Sequence, residues 1–213
     1  MSQLKHEISS SDFEIEAEDR HIVPKIGLLR AVDTLRTGLT LVALASGAAV
    51  LGLAAHTLAV YRATSLPAEY LLQLWPEDFD VRPTNSLIAC GVLVLVANTL
   101  ALGMSKVSFV SSRYIARSSV SVTAPGVGLV GALVAMSFFY AVNASTKTDS
   151  IQSWSCRWGG VAMDTRPHFG TLCKESKAAL TLATLLVPVE ALIIGVAGYE
   201  AVLLRRINQG LHH

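Results

Sequence analysis

Three polar residues interrupt long apolar stretches of the chain, and their side chains are the ones best placed to do chemistry. Glu190, Asn98 and His56 each stand in a separate run rich in Leu, Val, Ala and Ile. Burying an ionisable group in such a run is costly, so it usually faces a partner or a water-filled path. A carboxyl, an amide and an imidazole in this setting indicate either a proton or cation path or a polar contact between helices.

The apolar runs that carry these residues are long enough to cross a bilayer, which takes about 20 residues of helix. The four runs cover residues 37–61, 83–105, 123–143 and 178–204. Composition agrees, because 52% of the 213 residues are hydrophobic and only 15% are charged. Only helices and closed barrels satisfy their own backbone hydrogen bonds in lipid. We therefore predict an all-α fold, an antiparallel up-down bundle of four transmembrane helices.

The remaining segments predict a simple domain organisation. Residues 1–23 are polar and acidic, which favours a disordered cytosolic tail. Residues 24–207 form the membrane domain, and residues 208–213 form a short cytosolic tail. In the first outer loop, Pro67 and the spacing of Leu71, Leu74 and Trp75 predict a short interfacial helix with Trp75 at headgroup depth.

The distribution of basic residues predicts that both ends of the chain are cytosolic. With the N-terminus inside, ten of the 17 Lys and Arg residues lie inside and seven outside, as the positive-inside rule requires. Cys156 and Cys173 flank the second outer loop, where an oxidising compartment would allow a disulfide to staple it. The expected location is the plasma membrane or another membrane of the secretory pathway.

Depth along the spans predicts which polar residues meet. Counting about 12 to 15 residues inward from the outer end of each span brings Glu190 level with Asn98, Gly131 and Ala49. We predict a hydrogen bond between Asn98 and Glu190, with a neutral carboxyl if the site excludes water. Either this contact is a clamp between helices, or it belongs to a proton path that His56 extends about two turns nearer the outside.

Small residues four positions apart predict where helix backbones approach each other. Gly131 and Ala135 form one such pair in the third span, and Ala48 and Gly52 form another in the first. Spacing of this kind lets two helices pack closely in a membrane.

The second outer loop holds an aromatic group around its two cysteines. Trp154 and Trp158 bracket Cys156, and Phe169 precedes Cys173. These rings predict either an outer surface that binds a partner or a small apolar core inside the stapled loop.

Signatures of enzymes and cofactor proteins are missing from the sequence. A single histidine within a span does not supply paired haem ligands, and metal-ligand spacings, a Ser-His-Asp set and a phosphate-binding loop are absent. No basic surface indicates nucleic acid. We therefore expect no enzymatic activity, no cofactor and no metal, and the partners to be membrane lipids, other membrane proteins or further copies of the chain.

The layout resembles that of the MARVEL-like tetraspan proteins, many of them fungal. The resemblance covers nearly the whole chain and rests on four spans, a short inner loop and the pair Cys156 and Cys173 in the second outer loop. It implies a non-enzymatic organiser of membrane domains or partner proteins. Claudin-type proteins carry their Trp and paired-Cys signature in the first outer loop, which argues against them. The alternatives are a small transporter or channel that uses Glu190, Asn98 and His56, and an accessory subunit of a membrane complex.

Overall fold

The computed structural model describes residues 3–65, 74–76, 78–106, 114–144 and 148–210. Its elements are helix α1 (Gln3–Thr64), strand β1 (Phe79–Asp80), helix α2 (Arg82–Lys106), helix α3 (Tyr114–Asn143), strand β2 (Asp149–Ser150), helix α4 (Ile151–Arg157) and helix α5 (Phe169–Gly210). The all-α prediction is confirmed, since the two strands are only two residues long and pair with each other in parallel.

Four helices in the described part of the chain are long and apolar enough to cross a membrane. They comprise Gly27–Thr64, Arg82–Met104, Val122–Asn143 and Phe169–Leu203, which confirms the four predicted spans. The two outermost spans in the sequence are longer than predicted. The fourth begins at Phe169 because the carbonyl of His168 accepts hydrogen bonds from the backbone N–H groups of Thr171 and Leu172, which starts the helix before its apolar run.

Helix α1 begins at Gln3 and runs without a break into the first span. It therefore includes residues 3–23, for which the acidic composition predicts disorder. Most residues there, including several Glu, have good or moderate helix propensity, which gives a physical reason for a helical backbone. Residues 211–213 of the predicted C-terminal tail lie outside the described residues, while residues 208–210 belong to α5.

The core of the bundle is built from small and medium apolar side chains. In it α1 packs against α2 and α5, and α3 packs against α2 and α5. Its buried members include Ala43, Val50, Val94, Ala135 and Ala183, all of them 0% exposed. Small side chains let the helix backbones come close together, which is how helices gain packing contacts in lipid.

The packing face of α1 differs from the predicted one. Ala48 and Gly52 are exposed, and a Cβ atom on Gly52 would meet no atom within 4 Å. The close approach occurs at Gly47 instead, where a Cβ atom would lie 2.7 Å from Val94 Cγ1. On α2, a Cβ atom on Gly91 would lie 3.0 Å from the carbonyl oxygen of Gly47. Within this chain, the close approach on α1 is therefore displaced by one residue from the predicted pair.

The predicted pair on α3 lies against α2. Ala135 is completely buried, and a Cβ atom on Gly131 would lie 3.5 Å from Leu93 Cδ1 and 3.8 Å from the Cα atom of Cys90. These are ordinary contact distances, so Gly131 leaves room for the neighbouring helix.

One end of the bundle is closed by α4, β1 and β2, and we refer to it as the capped end. Cys156 in α4 and Cys173 in α5 form a disulfide, as predicted. Helix α4 starts with a capping box, in which the Ser150 hydroxyl accepts from the N–H of Ser153 and the Ser153 hydroxyl accepts from the N–H of Ser150. The disulfide therefore ties a well-defined short helix to the start of α5.

An aromatic cluster forms a second, smaller core beneath the cap. Trp75 lies edge-on to Tyr61, Phe79 and Phe169, with ring centroids 5.0 to 5.4 Å apart. The indole nitrogen of Trp75 donates to the Thr64 hydroxyl at 3.1 Å. Trp75 is 7% exposed, so it packs within the protein. The predicted interfacial helix falls largely on residues 66–73, which lie outside the described residues.

Candidate functional site

The candidate site is a polar layer in the middle of the bundle, where α2, α3 and α5 meet. Glu190 of α5 and Asn98 of α2 are both 0% exposed. The Asn98 side-chain nitrogen donates to Glu190 Oε1 at 3.0 Å, so the predicted hydrogen bond is confirmed. The same nitrogen donates to the carbonyl oxygen of Val94, also at 3.0 Å, which fixes the orientation of the amide. Both hydrogens of the amide are thus used.

Gly128 of α3 makes room for the carboxyl. A Cβ atom at this position would lie 2.5 Å from Glu190 Oε1 and 2.8 Å from Cδ, closer than real contacts allow. The carboxyl therefore rests directly against the backbone of α3. Depth counting pointed to Gly131, one turn further along, and to Ala49 of α1, which is exposed. The missed residue, Gly128, is part of the same glycine-rich segment, but only the rotation of α3 identifies it.

Two polar atoms in this layer have no hydrogen-bond partner among the described residues. They are Asn98 Oδ1 and Glu190 Oε2. Buried polar atoms usually have a partner, because leaving one without it costs about 1 to 3 kcal/mol. Leu186 and Ile193, one turn to either side of Glu190 on α5, are 1% and 2% exposed. The polar layer is therefore enclosed by apolar packing along α5.

His56 lies far from this layer. Its Nδ1 atom is 2.8 Å from Glu175 Oε2 near the capped end, and its side chain is 53% exposed. Glu175 precedes Glu190 by 15 residues on α5, which corresponds to about 22 Å along a helix. Of the three predicted polar residues, the structure brings together Glu190 and Asn98 and leaves His56 apart.

An ion pair joins α1 and α5 at the other end of the bundle. Arg36 Nη1 donates to Glu200 Oε2 at 2.7 Å, and both side chains are mostly buried. Arg36 Nη2 also lies 3.5 Å from Asp33 Oδ1. Glu200 stands with Glu190 in the fourth predicted span, residues 178–204, and no partner was predicted for it. The sequence could have indicated this pair, because Arg36 and Glu200 lie near the inner ends of the first and fourth predicted spans, at similar depths.

The predicted outer-loop residues divide between surface and core. Trp158 is 44% exposed, and its ring centroid lies 5.8 Å from that of Trp154. The Arg157 guanidinium stacks 5.7 Å from the centroid of the Trp154 ring and pairs with Asp149. Phe169, predicted as surface, is only 5% exposed and belongs to the aromatic cluster. Phe169 is therefore buried, but its ring partner Trp75 comes from outside the stapled loop, while Trp158 remains on the surface.

A metal centre has no donor set in the described part of the chain, where no three His, Cys, Asp or Glu side chains come close enough to hold an ion. The described residues therefore define a class rather than an activity: a multi-pass integral membrane protein with four helical spans and a disulfide-stapled cap. Comparison with protein-family models, with curated proteins and with solved structures gives no match.

Proposed function

We propose that this chain is a non-enzymatic tetraspan protein that organises membrane domains or partner proteins through lateral helix packing and its outer loops. We compare it with the MARVEL-like tetraspan proteins, because its layout resembles theirs. The observation that carries the proposal is the enclosed contact between Glu190 and Asn98. Its position between three helices suits a clamp that sets how the helices pack.

A clamp explains the surroundings of Glu190 better than a path does. On α5, the buried residues between Glu175 and Glu190 are Ser176, next to Glu175, and then Ala179, Ala183 and Leu186, and those between Glu190 and Glu200 include Ile193 and Ala197. A proton path requires polar side chains or water at steps of hydrogen-bond length. The apolar stretches on both sides of Glu190 are each several residues long, which favours a structural role.

The bundle is proposed to run up and down through the membrane. On α1 and α5, Arg36 pairs with Glu200 and His56 pairs with Glu175, so the contacts follow opposite sequence order. On α1 and α2, Gly47 approaches Val94. Further along α1, Leu51 approaches Gly91 in the same reversed order. These pairs support antiparallel neighbours.

The capped end is proposed to face outward, with both ends of the chain in the cytosol. A disulfide forms and persists in an oxidising compartment, and Cys156 and Cys173 lie at this end. The excess of Lys and Arg lies toward the other end. The plasma membrane or another membrane of the secretory pathway fits this arrangement. A short interfacial helix in the first outer loop remains part of the proposal.

Two surfaces are available for association with other membrane proteins or with further copies of the chain. Within the membrane, Leu100, Val130 and Leu192 are 57% to 60% exposed. At the capped end, Trp158 presents an exposed ring, and Arg157 lies over the ring of Trp154. Tryptophan and arginine are enriched at protein interfaces, where a large ring and a planar cation bind strongly.

Reconstitution into lipid vesicles distinguishes the organiser from the transporter. We expect vesicles with the wild-type protein and with Glu190→Gln to leak protons at the rate of protein-free vesicles, measured with a trapped pH-sensitive dye. The glutamine oxygen still accepts from Asn98, so the variant should keep its fold. Proton flux in the wild type that stops in Glu190→Gln would favour transport over organisation.

Association is measured on the same preparations. Native mass spectrometry from lipid nanodiscs should detect assemblies of more than one chain, and Trp158→Ala should reduce them if the outer surface contributes. Arg166→Ala, an exposed change in the same cap, is the matched control. Only monomers at all protein-to-lipid ratios would exclude self-association and leave partner proteins to be tested.

A further inference from the structure

A groove separates α2 from α3 on the membrane-facing side of the bundle. Its volume is about 600 Å³, and both helices belong to candidate spans. Small residues create it, namely Ala89 on α2 with Gly126 and Gly131 on α3. A Cβ atom on Gly126 would meet no atom within 4 Å, so the groove is open at that position.

The rim of the groove is apolar and accessible. Leu93, Val127, Val130 and Val134 line it and are 43% to 60% exposed. None of its lining residues is Asp, Glu, Lys, Arg or His. Because the bilayer core contains hydrocarbon rather than water, a groove with these walls is suited to an apolar occupant.

The dimensions of the groove accommodate a single hydrocarbon chain. On α3 it extends from Thr123 to Val134, twelve residues whose Cα atoms span about 16 Å along the helix. A volume of about 600 Å³ over that length gives a mean cross-section of roughly 36 Å². An extended acyl chain fits along a groove of this width.

A positive charge lies beyond one end of the groove. Arg82 is one helical turn from Ser86, a lining residue, and the two share a face of α2. Arg82 is exposed, and its guanidinium forms no salt bridge with the described residues. Its backbone N–H donates to Asp80 Oδ1 at 2.8 Å. Guanidinium groups bind phosphate oxygens strongly and with defined geometry.

We propose that this groove binds one glycerophospholipid, with an acyl chain between α2 and α3 and its phosphate beside Arg82. The apolar walls match the chain, and the arginine at the membrane boundary matches the headgroup charge. The proposal does not rest on lateral association, because the site is formed by two helices of one chain.

The test uses the full chain, purified in detergent and titrated with dioleoyl phosphatidylcholine, with bound lipid counted by native mass spectrometry. We expect one lipid to be retained more tightly than the rest. Gly126→Leu should weaken its binding by about tenfold or more, because the new side chain occupies the groove. Gly52→Leu is the matched control, since its Cβ atom also meets nothing within 4 Å but lies on α1.

Two further comparisons keep the result interpretable. Ala89→Leu fills the groove from the α2 wall. If Gly126→Leu lowers the helical circular dichroism signal and is therefore misfolded, the lipid binding of Ala89→Leu is used in its place. Dioleoylglycerol, which has the same chains without phosphate, should bind more weakly than the phospholipid, and Arg82→Gln should remove that difference.

Three outcomes would overturn the proposal. Both groove variants could retain lipid as tightly as the wild type, which would show that the retained lipid does not bind in the groove. The two variants could instead abolish dimers without changing lipid binding, which would show that the groove is an interface between two copies of this chain. Equal binding of dioleoylglycerol and phospholipid by the wild type would refute the phosphate contact with Arg82.

Discussion

Replacing Gly128 by alanine tests whether the polar layer holds α2, α3 and α5 together. The new Cβ atom would lie 2.5 Å from Glu190 Oε1, whereas ordinary contacts begin at 3.4 Å. The carboxyl must therefore move by about 0.9 Å (3.4 − 2.5). If it moves away from Asn98, the 3.0 Å hydrogen bond opens to about 3.9 Å, beyond the range of a hydrogen bond.

Opposing free-energy terms set the size of the effect. Alanine has a better helix propensity than glycine by about 0.8 to 1.0 kcal/mol. Against this, an interhelical hydrogen bond in a membrane contributes about 0.6 kcal/mol on average and up to about 1.7, and crowding a packed core costs about 1 to 3 kcal/mol. Gly128→Ala should therefore destabilise the wild type by about 1 to 2 kcal/mol.

The effect of Gly128→Ala on the free energy of unfolding should reverse in sign once the Glu190 carboxyl is absent. The three atoms nearest to the new Cβ atom all belong to Glu190. In a Glu190→Ala background only the propensity term remains, so Gly128→Ala should stabilise by about 1 kcal/mol. The coupling between the two positions is then about 2 to 3 kcal/mol, the upper part of the range for residues in contact.

The free energy of unfolding is measured in mixed lipid and detergent micelles by titration with sodium dodecyl sulfate, followed by helical circular dichroism. Gly126→Ala, two residues away with open space around its Cβ atom, is the control and should stabilise by about 1 kcal/mol through helix propensity alone. An equal effect of Gly128→Ala in both backgrounds would refute the contact between Gly128 and the carboxyl.

Three other perturbations have expected outcomes. Joint replacement of Cys156 and Cys173 by serine should destabilise the cap by roughly 3 kcal/mol, from the loop closure that the disulfide supplies, and faster proteolysis of the loop would report it. Arg36→Gln should lower the free energy of unfolding by about 1.5 to 3 kcal/mol, because it removes a charged partner of Glu200. Glu200→Gln alone should cause the same loss, and the double variant should lose no more than either single variant. Trp75→Ala should cost about 3 to 5 kcal/mol, measured as a lower midpoint of thermal unfolding, and an unchanged midpoint would contradict the packing of the aromatic cluster.

The four spans could be predicted because their signal is local. A run of about 20 apolar residues must become a helix in lipid whatever its neighbours are. The start of α5 was less predictable, since residues 169–177 carry Lys174, Glu175 and Lys177 and do not look like a span. Their helix is supported by the disulfide at Cys173 and by the burial of Phe169 and Leu172 against the cap.

The candidate site shows where sequence reasoning stops. Depth along the membrane is a simple count of residues, so the contact between Asn98 and Glu190 could be predicted. Rotation about the helix axis depends on the neighbouring helices, and on α1 the contact fell on Gly47 instead of Ala48. The aromatic cluster was not predictable for a related reason, because Tyr61 and Phe169 are brought to Trp75 from distant parts of the chain.

Polar contacts at three depths give this bundle its register. Apolar side chains lose little by facing lipid instead of another helix, so they do not strongly prefer one sliding position of two helices over another. On α5 the fixed points are Glu175, Glu190 and Glu200, which contact His56, Asn98 and Arg36 respectively. His56 and Arg36 are 20 residues apart, or about 30 Å of helix, which matches the thickness of the hydrocarbon core. Sliding α5 by one turn would separate all three contacts at once, so the three glutamate side chains select a single alignment that apolar packing alone would not.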